Sequence, residues 1–285
     1  EMGERVRAIL GKEARGLHIS TFHRLGLDIL QKEHLAAGLR RNFTVFDARD
    51  GATLVKELSK QEDEAVVRQL QAQISAYKNA NISVAAAKSL AQDEAQVLAA
   101  HIYHHYDQRL RAYNAVDFDD LIALPLALLK ENDTVRERWQ HRVRYLLVDE
   151  YQDTNDCQYA LLQLLAGAAA AFTAVGDDDQ AIYSFQGADV GNIHRFRERY
   201  PNYRHVVLTE NYRSAQTILD GARAVITQAS GRLETTMEIN KQLTSHATES
   251  KMVELHEHTT PADERAWIAE HIAKQIAHGA RPSGI

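Results

Sequence analysis

The stretch Tyr145-Leu146-Leu147-Val148-Asp149-Glu150-Tyr151-Gln152-Asp153 constrains this chain more than any other. A short apolar run reads as a buried strand, and it stops abruptly in acid. In an open α/β sheet the chemistry gathers at the carboxyl ends of the strands. An aspartate followed by a glutamate there suits two tasks, holding Mg²⁺ and activating a water. The layout returns twice. Phe172–Val175 leads into Gly176-Asp177-Asp178-Asp179-Gln180, and Val206–Leu208 leads into Thr209-Glu210-Asn211-Tyr212-Arg213-Ser214. Three adjacent carboxylates repel one another unless a cation or donors compensate. An arginine at the third end can reach a terminal phosphate with fork geometry. Taken singly, the acids read as a solvated turn and Arg213 as a surface ion-pair residue. Taken together, the repeated layout points to a nucleotide-driven machine.

The rest of the pattern supplies a frame. Leu17–Ser20 reads as a short strand followed by the turn Thr21-Phe22-His23. From Arg24 to about Thr134 apolar residues recur at three- and four-residue spacing, as in Leu54, Leu58, Val67, Leu70 and Ile74, which predicts helices almost throughout. From Val135 onward strands and helices alternate, which predicts a parallel sheet. Its strands are Tyr145–Val148, Phe172–Val175, Val206–Leu208 and Met252–His256. Asp153, Thr154 and Asn155 offer N-cap chemistry for a helix through Leu161 and Leu165. Thr260-Pro261 starts a last helix over 261–277, whose Ala266, Ile268, Ile272 and Ile276 need a partner surface. The fold class is α/β, with a large all-helical insertion in a parallel-sheet domain and the start of a second such domain. The boundaries are 1–23 with 135–215, then 24–134, then 216–285. Both chain ends suggest a piece of a longer protein.

Composition excludes little. The net charge of −6 gives no global nucleic-acid signal, although a local groove with aromatic stacking can still bind a single strand. Arg136, Arg138, Arg142 and Arg144 read as a solvated helix face leading into a strand. One cysteine, Cys157, rules out an intrachain disulfide and fits a reducing compartment. No apolar run approaches the roughly 20 residues of a membrane span.

Five blocks carry a family resemblance: Ile19–His23, Leu147–Asn155, Val175–Tyr183, Glu210–Ser214 and Asp117-Phe118-Asp119-Asp120-Leu121. In order and spacing the chain resembles the superfamily 1 helicases of the Rep/UvrD/PcrA group, and most of all its Rep members. The resemblance implies two RecA-like motor domains, 1A and 2A, with the helical insertion as 1B. It also implies ATP and Mg²⁺ as the nucleotide and its ion. Asp149 would hold the Mg²⁺, and Glu150 would polarise the attacking water. Gln180 would sense the γ-phosphate, and Arg213 would act as an arginine finger from across the interdomain cleft. Tyr212 would stack on adenine, with Gln152 and Asp177 also at the nucleotide. Thr21, Phe22 and His23 would meet single-stranded DNA, as would Tyr183, Phe185 and Gln186. Asp117, Asp119 and Asp120 are read instead as first-turn acids that offset a helix dipole.

Two departures stand out. Phe185 and Gln186 replace the usual Trp and Arg, leaving a smaller stacking area and one phosphate-pairing charge fewer. No G-x-x-x-x-G-K-[ST] loop occurs, and Gly11-Lys12-Glu13 is not one. In the family that loop lies upstream of this stretch, so the chain alone is expected neither to hydrolyse ATP well nor to unwind DNA. The full protein is expected to move 3′ to 5′ on single-stranded and forked DNA in replication restart or repair. It would be cytoplasmic and nucleoid-associated, a monomer or a DNA-induced dimer, working with replication or repair proteins and without a membrane. Two alternatives stand beside this reading. A nuclease domain downstream of Ile285 would make it a RecB-type subunit. An upstream segment without the phosphate loop would make it a non-catalytic DNA-binding module.

Overall fold

Short polar side chains start most of the helices. In the computed structural model, which describes residues 2–168, 171–182, 188–189, 191–247 and 253–282, helix α1 (Met2–Leu10) is followed by α2 (Phe22–Lys32), capped by Thr21. Strand β1 (Thr44–Val45) precedes α3 (Ala48–Ser59), where Asp47 and Asp50 form a reciprocal capping box. Next come α4 (Glu64–Asn79), α5 (Val84–Leu90) and α6 (Glu94–Tyr113), begun by Asp63, Ser83 and Asp93. Strand β2 (Ala115–Val116) leads to α7 (Asp120–Glu131) and α8 (Asp133–Arg142). The α/β part follows as β3 (Tyr145–Val148), α9 (Asp156–Ala166), β4 (Ala171–Ala174) and α10 (Gly191–Arg199). Then come β5 (Glu210–Asn211), α11 (Gln216–Ile226), α12 (Leu233–Thr236), β6 (Thr244–Ser245) and α13 (Pro261–Ala277).

The chain forms two compact units, residues 1–203 and 204–285. Glu210–Ser214 therefore belongs to unit 2. In unit 1 one core lies inside the helical block, around Leu54, Val55, Leu70, Ile74, Ile102 and Tyr106. A second core joins α2, α7, α8 and α9 through Ile29, Leu126, Leu129, Trp139, Leu161 and Leu165. Helices α2 and α7 cross at van der Waals distance because Gly26 has no side chain. A Cβ there would sit 1.6 Å from the Leu121 carbonyl oxygen. Pro125 lies inside α7 and has no N–H to bond that carbonyl, which is therefore free to face Gly26.

All three strand pairs are parallel, as alternation with helices predicts, but they are separate two-stranded pairs among the described residues. Several expected strands are corrected. Among the described residues, 17–21 have no strand partner, nor do 206–208 or 253–258, while Met252 lies outside the described residues. The third pairing is instead β5 with β6, and it begins two residues later than Leu208. Apolar runs at 17–20 and 206–208 have strand composition, but a strand also needs a neighbour for its N–H and C=O groups. Strand β3 is buried on one face only. Val148 is covered, while Tyr145 and Leu147 stay exposed. The arginines of α8 are only in part the expected solvated face, because Arg138 pairs at 2.9 Å with the buried carboxylate of Glu33. Arg136 pairs with Asp133, and Arg142 lies over the Trp139 ring. No described helix is long and apolar enough to cross a membrane.

Candidate nucleotide and DNA site

The parallel register of β3 and β4 brings the two acidic strand ends side by side. Val148 pairs with Ala174, and the ladder runs one step further on each side. The Val175 amide donates to the Val148 carbonyl at 2.8 Å, and the Tyr151 amide donates to the Val175 carbonyl at 2.9 Å. Asp149 and Glu150 therefore emerge beside Gly176 and Asp177. The chain turns sharply at Glu150, whose φ of 50° puts a non-glycine residue in the left-handed region. Such conformations cluster at functional sites. Asp149 and Glu150 are both exposed, and no described lysine or arginine pairs with either.

Gln152 holds this turn from beneath. It is 1% exposed. Its Nε2 donates to Glu150 Oε2 at 2.8 Å, and its Oε1 accepts from the Asp177 amide at 3.1 Å. Gly176 leaves room for that amide, since a Cβ there would come within 2.8 Å of Gln152 Oε1. Asp177 starts a one-turn helix at 178–180, and its Oδ2 accepts from Gln180 Nε2 at 2.9 Å. Four residues predicted to act on nucleotide thus form one hydrogen-bonded chain, Glu150–Gln152–Asp177–Gln180. One oxygen each of Asp177, Asp178 and Asp179 lies within 4.8 Å of the others, a set of hard donors that fits a divalent cation. Burial, aided by the Glu150 charge, pushes the Asp153 carboxyl up, and its Oδ1 is buried without a hydrogen-bond partner.

The residues expected at DNA separate. Thr21 Oγ1 accepts the Arg24 amide at 3.3 Å and caps α2. Phe22 turns inward and packs against both the Trp139 core and the Val148 core. His23 turns outward and stacks on Phe118, with ring centroids 3.8 Å apart and planes at 21°. Phe118 stays 58% exposed. Burial lowers the His23 pKa, so its ring favours the neutral form. Tyr183, Phe185 and Gln186 lie outside the described residues.

Sequence reasoning missed both Phe118 and what fixes it. Asp119 and Asp120 do stand at the start of α7, as expected, but a buried cation is the chief partner of Asp117 and Asp120, and Asp119 accepts from Asn79. Lys78 Nζ lies 2.7 Å from both Asp117 Oδ2 and Asp120 Oδ1. Burial alone would lower the lysine, but the two carboxylates outweigh it and hold it above the usual range. Burial pushes the Asp120 carboxyl up, against the pull of that ammonium. The signal available in sequence was one lysine in the last turn of an otherwise apolar-faced helix, 39 residues from its partner.

In unit 2, Asn211 Oδ1 accepts the amides of Arg213 and Ser214 at 3.0 and 2.8 Å and shapes the turn. Tyr212 is exposed and stacks on His246, with centroids 4.7 Å apart. His246 in turn bonds Glu210. The Arg213 side chain is exposed.

Two family models match the chain. One, the UvrD/REP helicase N-terminal domain, covers residues 1–201, and the other, the UvrD-like helicase C-terminal domain, covers 206–282. The chain belongs to the UvrD/REP helicase family. The ATP-dependent DNA helicase Rep of Salmonella typhimurium is 50% identical over 230 residues, covering 79% of this chain and 34% of the relative. The Rep helicase of Escherichia coli is 49% identical over the same shares. The ATP-dependent DNA helicase PcrA of Leuconostoc citreum is 37% identical over 277 residues, covering 95% of this chain and 36% of the relative. The chain thus spans about a third of the length of these curated relatives.

Proposed function

We propose that this chain is part of an ATP-dependent DNA helicase that moves 3′ to 5′ on single-stranded DNA and opens forked duplexes in replication restart and repair. The observation that carries the reading is the hydrogen-bonded chain from Glu150 through Gln152 and Asp177 to Gln180 across two adjoining strand ends. Phosphoryl transfer to water is mostly positioning plus charge neutralisation. Glu150, with one oxygen fixed by Gln152, orients and polarises the water. Asp149 offers an exposed carboxylate beside it, and together with the Asp177–Asp179 oxygens it supplies the hard donors that would hold Mg²⁺. When bound, that ion neutralises charge on the phosphates. Gln180 reads the γ-phosphate, and through Asp177 and Gln152 its movement reaches Glu150.

The resemblance assigns Tyr212 to the adenine ring and Arg213 to the transferred phosphate. Both side chains are exposed in unit 2, as those roles require. Thr21, His23 and Phe118 offer a hydroxyl and a stacked aromatic pair to a single strand, since base–aromatic stacking tolerates any sequence. The resemblance assigns Tyr183, Phe185 and Gln186 to the same single strand. The α/β part of unit 1 is read as a RecA-like motor domain with the helical block as its insertion. A cytoplasmic, nucleoid-associated protein is part of the same reading.

The test is ATP turnover with and without single-stranded DNA, on the full-length protein and on this chain alone. Turnover that DNA stimulates in the full-length protein, with little in the chain, which has no phosphate-loop sequence, supports the reading. DNA binding without turnover in the full-length protein would replace it with a binding module.

A further inference from the structure

The last two residues of α4 tie together the two loops that the proposed function uses. Lys78 and Asn79 take up every acid of the Asp117–Asp120 turn. Lys78 bonds Asp117 and Asp120, and Asn79 Nδ2 donates to Asp119 Oδ1 at 3.1 Å. Asp117 and Asp120 close the turn by exchanging bonds with each other's amides, at 3.2 and 2.8 Å. The Lys78 ammonium also lies over the Tyr106 ring. Phe118 is the one residue of the turn left to face outward, against His23.

On its other side, Asn79 Oδ1 accepts from Asn155 Nδ2 at 2.7 Å. Asn155 is the N-cap of α9, directly after the acid loop, and a capping box with Gln158 fixes it. The preceding Thr154 is locked as well. Its hydroxyl donates to the Tyr151 carbonyl at 2.7 Å, and Asn192 Nδ2 donates to the Thr154 carbonyl at 2.8 Å. Asn155 and Asn192 are both buried. One side-chain amide, Asn79, therefore stands between the Phe118 turn and the Asp149–Asp153 loop.

We propose that Asn79 is a positioning residue that couples strand contact at the His23–Phe118 pair to the acid loop through its bonds to Asp119 and Asn155. The proposal rests on the reading of unit 1 as an ATP-driven DNA motor. Asn79 touches neither the reacting atoms nor the exposed rings, so its effect falls on the DNA-dependent part of turnover. A connected path does not by itself transmit anything, and the deciding measurement is a coupling.

The experiment compares the full-length protein with Asn79→Ala, with Asn155→Asp, and with both changes. Asn155→Asp keeps the oxygen that caps α9, because aspartate is an equally good N-cap, and turns the donor to Asn79 Oδ1 into an acceptor that cannot make that bond. ATP turnover is measured without DNA and with saturating dT oligonucleotide, together with oligonucleotide affinity by fluorescence anisotropy. The expected result is a loss of DNA stimulation of about tenfold, within the roughly 5–150-fold span of such couplings. KM for ATP, DNA-free turnover and oligonucleotide affinity stay within about twofold, and the double variant is no worse than either single one. A stimulated wild type whose variants keep its full stimulation would overturn the proposal alone. So would variants whose DNA-free and stimulated rates fall together, which marks a merely structural role. An unstimulated wild type would overturn the motor reading and the proposal with it. If Asn79→Ala does not fold, Asn155→Asp decides the matter.

Discussion

The Asp117–Asp120 turn and the Asp149-Glu150 strand end of unit 1 are acidic clusters built in opposite ways. Asp117, Asp119 and Asp120 lie in a closed turn where Lys78 brings a cation and Asn79 a donor, and Asp117 and Asp120 are almost fully buried. Asp149 and Glu150 stand at a strand end, exposed, on a backbone bent into the left-handed region, with a buried glutamine beneath. In sequence the two look alike, as runs of acid beside apolar residues. The difference lies in whether the fold supplies its own positive charge. A cluster with an internal cation is finished and serves the structure. A cluster held in position without one is ready for a cation and a phosphate from outside. A buried ion pair is costly to desolvate and becomes more costly still when one partner is lost.

The largest way to break this contrast is Lys78→Met. It leaves two buried carboxylates uncompensated and is expected to cost about 3–5 kcal/mol of stability in denaturant unfolding. Adding Asp120→Asn should recover part of that loss. A cost under about 1 kcal/mol would mean that the turn does not depend on its lysine. The opposite test is Glu150→Gln in the full-length protein. Stability should stay within about 0.5 kcal/mol, as at an exposed position, while ATP turnover falls about 10²–10⁴-fold, as expected on removing a general base. Equal loss of stability from both substitutions would erase the distinction between the clusters.

What could be read in the sequence follows the same division. Elements fixed by local chemistry were legible. The Tyr145–Val148 strand, the Asn155 cap and the helix starting at Thr260-Pro261 and ending at Ala277 all stand where turn residues and periodicity put them. Elements that need a distant partner were not. Leu17–Ser20 and Val206–Leu208 have strand composition but no neighbouring strand among the described residues. Lys78 looked like one more charge on an amphipathic helix, because nothing local shows that its ammonium is 2.7 Å from two acids near residue 120. Phe22, expected at DNA, turns inward, and Phe118, which was given no role, faces outward for the same reason. Which aromatic points outward depends on how α2 packs against α7, and Gly26 sets that approach.

Gly176 probes the site cluster from beneath. Gly176→Ala would place a methyl group 2.8 Å from Gln152 Oε1 and force that buried amide aside. Overpacking of this kind costs about 1–3 kcal/mol. The more telling outcome is kinetic, because Gln152 orients Glu150. Turnover should fall in Gly176→Ala even after correction for the fraction folded. If turnover per folded molecule is unchanged, Gln152 does not position Glu150.

The smallest effect concerns His23, at the outer end of the structural cluster. Burial against Phe118 lowers its pKa, so the folded state favours the neutral ring. A depressed histidine contributes stability that is present above its unfolded value of about 6.5 and is lost as pH falls through the lower folded value. Stability should therefore drop slightly on acidification below about pH 6.5, and the His23 ring resonance should titrate below that value in NMR. Phe118→Ala removes the ring that shields it, so the midpoint should rise toward 6.5 while the Lys78 triad and the bulk of the stability are untouched. A His23 midpoint that ignores Phe118→Ala would show that the two rings are not stacked in solution. The exposed face of the Asp117–Asp120 turn would then lose its claim to a DNA base, and the cluster would be structural and nothing more.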